Sequence, residues 1–235
     1  MELSYLSLFA ITVLGFAVLY FGSAWLCLWL IARTDGERID TRIVKPAQIR
    51  TEIAHSLVSI AMFGLLSVLT LWLVNRGWLH VAWTPSWTKL PLELLALFLW
   101  NELHFYLSHR LLHTKWLYRR VHYKHHQSKT PTPYSTFSFH YIEALLLGSV
   151  MTTALLFYSF SAISLLALPL MSIVLNTLGH CNFNFFPGRS AGSLLSFTVR
   201  HSDHHERNTG NYGFFLPYFD RIFKTSSKES KRRSV

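Results

Sequence analysis

The chain has 235 residues, 51% apolar and only 14% charged, with a formal net charge of +10. That length asks for no more than one domain of ordinary size. Its apolar residues come in long runs and not in the short periodic patches of a soluble core, which excludes an ordinary soluble protein.

Taken in chain order, Leu3 to Ala32 holds no charged residue and exceeds the roughly 20 residues that cross hydrocarbon. The run is too long for a signal peptide and lacks a basic start, with Glu2 in that place, so an uncleaved span is expected. Ile53 to Asn75 is a second uncharged run, and Leu90 to Leu107 a third, weaker one interrupted by Glu93 and Glu102. Ala144 to Leu178 then supplies 35 uncharged residues, too many for one ordinary span and enough for two short ones. FYSFS, around Ser159 and Ser161, reads as the turn of a helical hairpin that is either membrane-crossing or re-entrant. The expected fold class is an all-α membrane protein with about four to five transmembrane or re-entrant helices and a cytoplasmic histidine-rich helical cap.

The placement of charge argues against nucleic acid as the partner. Of 22 Lys and Arg, five lie between Arg33 and Arg50, six between Arg110 and Lys129, and nine from Arg189 onward. Under the positive-inside tendency these three clusters and the C-terminus face the cytoplasm, and the loop NRGWLHVAWTPSWTK faces the other way. The same clusters favour contact with anionic headgroups. One integral domain is expected over 1–225, with polar segments at about 108–143 and 179–225, followed by a basic disordered tail at 226–235. Cys27, in the first span, and Cys181, in the cytoplasmic half, are not expected to pair.

Eleven of the 13 histidines fall between residues 104 and 205. His109 and His113 form H-x-x-x-H; His122, His125 and His126 form H-x-x-H-H; His201, His204 and His205 repeat it, and His180 lies between. On helices these spacings bring imidazoles to one side, a turn apart. Clustered neutral imidazoles suit iron, zinc, copper or nickel, and this many exceed what one ion can use, so two metals are implied. Carboxylates are too scarce for a Glu-rich di-iron bundle. Glu143 and Asp203 are better placed to orient imidazoles, and His140, Glu143 and Asp203 are candidates for either coordination or such support. His104 reads as a packed or supporting group, and His55 and His80 as ordinary interfacial histidines.

YLSHRLLH, LYRRVHYKHH, TPTPYSTFSFHYIEALL, RHSDHHERNTGNYG and FDRIFKT, in this order between Trp100 and Thr225, resemble the fatty acid hydroxylase and sterol desaturase superfamily of membrane di-iron oxygenases. TPTP followed by FHYIE is most similar to the sterol C5-desaturase branch. The resemblance implies metal ligation by His109, His113, His122, His125, His126, His180, His201, His204 and His205. The chain departs from the family pattern at Tyr141, where proline is common after the histidine, at Lys224, where glycine often follows phenylalanine, and at Glu102, where aspartate is frequent.

The resemblance further implies two iron ions, O2 as co-substrate, a lipid substrate (sterol, fatty-acyl or related) entering from the bilayer, and hydroxylation of an unactivated C–H bond. Desaturation by the same site is the alternative, and a histidine-rich metal-binding or transport protein is the competing class. The sequence has no flavin, haem or nicotinamide signature, so electrons from NAD(P)H are expected through an external electron-transfer protein and its reductase. The expected location is a bacterial inner membrane or endoplasmic reticulum.

Overall fold

Residues 4–227 are described by a computed structural model; the expected basic tail lies, from residue 228 on, outside the described residues. Helix α1 (Tyr5–Ile31) starts at Ser4, whose hydroxyl accepts from the Ser7 amide, and α2 (Pro46–Asn75) begins on a proline that has no amide to leave unsatisfied. Next come α3 (Leu90–Leu112), the single turn α4 (Lys115–Leu117), a π-helical turn over Tyr118–His122, and α5 (Tyr123–His126). Helices α6 (Tyr141–Gly148), α7 (Val150–Ala154) and α8 (Ala162–Gly179) follow, then α9 (Phe197–Arg207) and α10 (Tyr218–Ile222). The strands, β1 (Glu37–Arg38) and β2 (Phe183–Asn184), pair antiparallel with Glu37 opposite Asn184. The all-α class with a histidine-rich helical region is as the sequence implies.

Helices α1, α2 and α8 are long and apolar enough to cross a membrane. The third expected run forms one 23-residue helix, α3, but does not join them, because it carries polar groups that the chain itself satisfies. Near its start, buried Glu93 accepts from the Ser161 amide at 3.0 Å and the Ser164 hydroxyl at 2.7 Å, tying α3 to the beginning of α8. The expected hairpin is present: α6 and α7 lead away from the histidines and α8 returns, with the turn at 155–161 pinned to Ala82. The outgoing arm, Tyr141–Ala154, is about 21 Å of helix, short of the roughly 30 Å of a hydrocarbon core.

Apolar side chains gain little by leaving lipid for one another, so membrane-type helices associate through close packing and polar stitches. Both are here. A β-carbon on Gly64 would meet Phe9 and Val13 of α1 at 2.8 Å, so this glycine lets α1 and α2 approach. Ser23 and Thr177 join α1 to α8 at 3.0 Å, and Thr70 and Thr152 join α2 to α7 at 2.7 Å. Tyr20, Ile60, Phe63, Phe137, Phe139 and Ile173 fill the space between these helices.

One end of the bundle gathers the C-terminal ends of α1, α3 and α8 with the start of α2. Glu52, buried in the second turn of α2, accepts from Gln48 at 2.8 Å and Ser128 at 2.7 Å, and also from Thr132, fastening the loop after α5. Cys27 and Cys181 come close at this end without pairing. They are free thiols sharing a buried cluster with Phe183, because α1 runs alongside α8 although the two are far apart in sequence. Contact with Cys27, together with burial, pushes the Cys181 thiol pKa well up.

Candidate metal centre

The nine histidines that the family resemblance implies converge into two groups: His109, His113, His122, His126 and His204 in one, His125, His180, His201 and His205 in the other. Within each group one ring nitrogen per residue lies within 4.8 Å of all the others. His113 is half-buried and the other eight are buried.

Helix geometry explains the sorting. In H-x-x-H-H, positions i and i+4 lie within about 40° of each other around the helix, whereas i+3 points about 100° away from i+4. His122 and His126 accordingly enter the five-histidine group and His125 the four-histidine group. In α9 the assignment is exchanged: His201 and His205 enter the group of four, and His204 the group of five. Each H-x-x-H-H box thus contributes to both groups. His109 on the last turn of α3, with His113 as its C-cap, completes one group, and His180, the C-cap of α8, completes the other. The π-helical turn ending at His122 holds an extra residue within its turn, a local feature that recurs at functional sites.

Tautomers follow from the partners. A carbonyl oxygen only accepts, so Nδ1 carries the proton where His109 donates to Tyr212 O at 2.8 Å, His204 to Gly210 O at 2.6 Å and His180 to Asn176 O at 2.8 Å. Their Nε2 atoms then present lone pairs. His180 Nε2 faces those of His125 at 3.2 Å and His201 at 3.0 Å, and His204 Nε2 faces those of His113 and His126, each at 3.1 Å. One lone pair cannot satisfy two such neighbours, but a shared cation can. Two imidazole nitrogens bound at about 2.1 Å and at right angles stand about 3 Å apart, so the donor set fits transition-metal ions.

The electrostatics agree. Burial, reinforced by neighbouring imidazoles, holds His113, His122, His125, His126, His201 and His205 well below the usual histidine pKa. Burial takes His180 and His204 down to about 4. The rings are neutral at pH 7, as ligands must be.

Carboxylates support these rings from behind. Glu143 Oε1 lies 2.7 Å from His122 Nδ1, fully buried. Asp220 accepts from the amides of Tyr212 at 2.8 Å and Gly213 at 2.8 Å, which fixes the carbonyl that His109 uses and gives the N-Y-G and D-R-I-F stretches one structural purpose. Glu102 accepts from the amides of Phe215 at 3.1 Å and Leu216 at 2.7 Å. Buried Arg200 donates to Phe215 O at 2.8 Å and Ala191 O at 3.0 Å, holding the same loop from the other side.

Other sequence candidates lie outside both groups. His140 caps α6, its Nδ1 accepting from the Ile142 amide at 3.2 Å, and Asp203 lies 3.8 Å from Arg207 on the outer side of α9. His104 meets Ser149 at 3.3 Å, His55 meets Ser138 at 3.4 Å, and His80 is exposed. Sequence reasoning missed Glu52, Asp220 and Arg200 as loop anchors. The available signal for Glu52 was a carboxylate one residue before an apolar run.

Fold and site together define an all-α protein whose apolar helices carry a buried polyhistidine cluster able to hold metal. Residues 94–225 match the fatty acid hydroxylase family model, more than half of the chain and all nine clustered histidines, and the chain belongs to that family. It is 29% identical over 167 residues to methylsterol monooxygenase 2-1 of Arabidopsis thaliana, an overlap of 64% of this chain and 61% of the relative. It is 30% identical over 145 residues to methylsterol monooxygenase 2-2 of the same plant, covering 60% of this chain and 54% of the relative. Very-long-chain aldehyde decarbonylase GL1-1 of Oryza sativa subsp. indica is 31% identical over 158 residues, 62% of this chain and 26% of the relative. The chain therefore spans under two thirds of the length of each. No solved structure matches it.

Proposed function

We propose that the chain is a membrane-bound di-iron oxygenase that hydroxylates an unactivated C–H bond of a lipid, using O2 and electrons from outside. The observation that carries this reading is the sorting of nine buried histidines into two adjoining groups with facing Nε2 lone pairs. His109, His113, His122, His126 and His204 would hold one iron, and His125, His180, His201 and His205 the other. Iron so bound supplies O2 activation and the oxidising power for hydrogen abstraction, chemistry that no side chain here provides.

The chain's own residues contribute position and dryness. Tyr212 O, Gly210 O, Asn176 O and Glu143 fix ring orientation, and such support is worth about 10- to 100-fold in metal affinity. Phe214 lies 4.8 Å ring to ring from His201, and Phe139 lies 5.0 Å from His125; both exclude water from the group of four.

In the topology we favour, the histidine end is cytoplasmic. The chain segments holding Arg33 to Arg50 and Arg110 to Lys129 both adjoin that end, as positive-inside placement requires. A single domain over 1–225 accounts for this, since loops from both halves close over one cluster. Similarity to the methylsterol monooxygenases favours hydroxylation over desaturation and a sterol-like or other lipid substrate. NAD(P)H would supply electrons through a separate donor.

The test is iron-loaded protein in lipid nanodiscs, given reductant, 18O2 and a mixture of sterols and fatty-acyl lipids. A lipid product carrying one 18O in a new hydroxyl is expected. A desaturated, unlabelled product would select the desaturase chemistry, and consumption of no lipid would overturn the reading.

A further inference from the structure

Electrons must enter a cluster that is almost wholly buried, and among the described residues His113 marks an approach from the surface. His113 is the only partly exposed member of the two groups, and the ring of Tyr118 covers it at 5.3 Å. Tyr118 also lies 5.7 Å from His126 and 6.2 Å from His122, so it touches three rings of the five-histidine group. Outward, Tyr123 stands 6.2 Å from Tyr118 and is 52% exposed. Surface, Tyr123, Tyr118 and histidine thus form a continuous aromatic path along one short helical segment.

That segment is also strongly basic. From Thr114 to Lys129 it carries Lys115, Arg119, Arg120, Lys124 and Lys129 and no acidic residue. Lys115, Arg119, Arg120 and Lys129 are exposed, and none of the ion pairs among the described residues engages any of the five. Elsewhere, Arg42 pairs with Asp40, and Arg200 and Arg221 donate to backbone carbonyls. Trp116, 66% exposed beside this patch, supplies an apolar anchor of the kind that favours protein contacts.

We propose that the outer face of Lys115–Lys129 is the docking surface for an acidic one-electron carrier protein, with Tyr123 and Tyr118 as the route from carrier to cluster. The proposal rests on the oxygenase reading. Hydroxylation consumes R–H, O2, two electrons and two protons and yields R–OH and water, so two one-electron deliveries serve each turnover, the carrier being oxidised once in each. Positive charge at the mouth of the path steers an acidic partner and orients it there.

The test has two arms, both on the full chain in nanodiscs of neutral lipid, with an acidic plant-type [2Fe–2S] ferredoxin as the probe. In the first, ferredoxin binding is titrated at low ionic strength on metal-free protein, so that the surface is judged whether or not the iron reading holds. Arg119→Glu with Arg120→Glu is expected to weaken binding by about tenfold or more. Equal binding by wild type and variant would overturn the surface, as would loss of wild-type binding once anionic lipid is introduced, which would assign the face to headgroups.

In the second arm, oxidation of reduced ferredoxin by iron-loaded protein is followed by stopped flow. Tyr123→Leu is expected to slow this oxidation several-fold at saturating ferredoxin, with ferredoxin binding and reduction by a small neutral mediator unchanged. An unchanged rate would overturn the route. If the neutral mediator fails to reduce even the wild type, the oxygenase reading fails, and the binding arm still decides the surface.

Discussion

His204 Nε2 stands 3.1 Å from His126 Nε2, although the two residues are 78 positions apart in sequence. The contact joins the second and third histidine boxes inside one group, and each box also sends side chains to the other group. Candidate ligands of both groups therefore come from the same two short segments. Removing His204 is expected to empty the five-histidine group and to lower iron content by at least one ion per chain, with product formation abolished and membrane insertion intact. Metal analysis of purified His204→Ala protein checks this, and full iron content would contradict the assignment.

Gly179 precedes His180, and a β-carbon there would lie 2.3 Å from Phe214 Cζ. Phe214 in turn packs on His180 and His201. Overpacking of this kind costs about 1–3 kcal/mol, so Gly179→Ala should lower the thermal midpoint and weaken iron retention. Gly22→Ala, with nothing within 4 Å of the added carbon, is the matched control and should change neither.

Glu143 reaches the five-histidine group through His122. Its removal by Glu143→Ala is expected to weaken metal affinity about 10- to 100-fold without removing a ligand. Competition with a graded series of chelators reads this directly. An affinity equal to that of the wild type would show that His122 needs no partner.

Lys224 occupies the position where family members often carry glycine, and its φ is 54°, in the left-handed region. A side chain there costs about 1 kcal/mol. Lys224→Gly should raise the thermal midpoint by an amount matching that gain, and a fall would show that the lysine side chain contributes more than its backbone costs.

Acid should unfold the metal-free protein. His180 and His204 titrate at about 4 when folded, against an ordinary value of 6.5. Between these values the unfolded chain binds more protons, so stability rises with pH through that window and is lost as pH falls from 6.5 toward 4. Thermal melts of metal-free protein across this range check the slope, and flat melts would contradict neutral burial of these rings.

Eight of the nine clustered histidines were legible because ligand spacing on helices is a local property, while His180 came only with the family resemblance; the hairpin was legible because it follows from the length of an uncharged run. The exchange of His125 and His204 between groups was not legible. It depends on the roughly 100° between i+3 and i+4, and on how α5 and α9 face each other. The Cys27–Cys181 contact was hidden for a similar reason, since only the packing of α1 on α8 brings those thiols together. Glu93 and Glu102 marked Leu90 to Leu107 as the weaker run, but their partners at Ser161, Phe215 and Leu216 lie too far along the chain to be read from it.

The central claim is that two metal ions sit side by side in this cluster. The most direct measurement is iron per chain together with the Mössbauer spectrum of protein reconstituted with iron-57, recorded before and after the reduced sample meets O2. The account predicts two irons per chain with the signature of a coupled, O2-reactive pair. One iron per chain, or iron that remains ferrous in O2 after reconstitution, would contradict it.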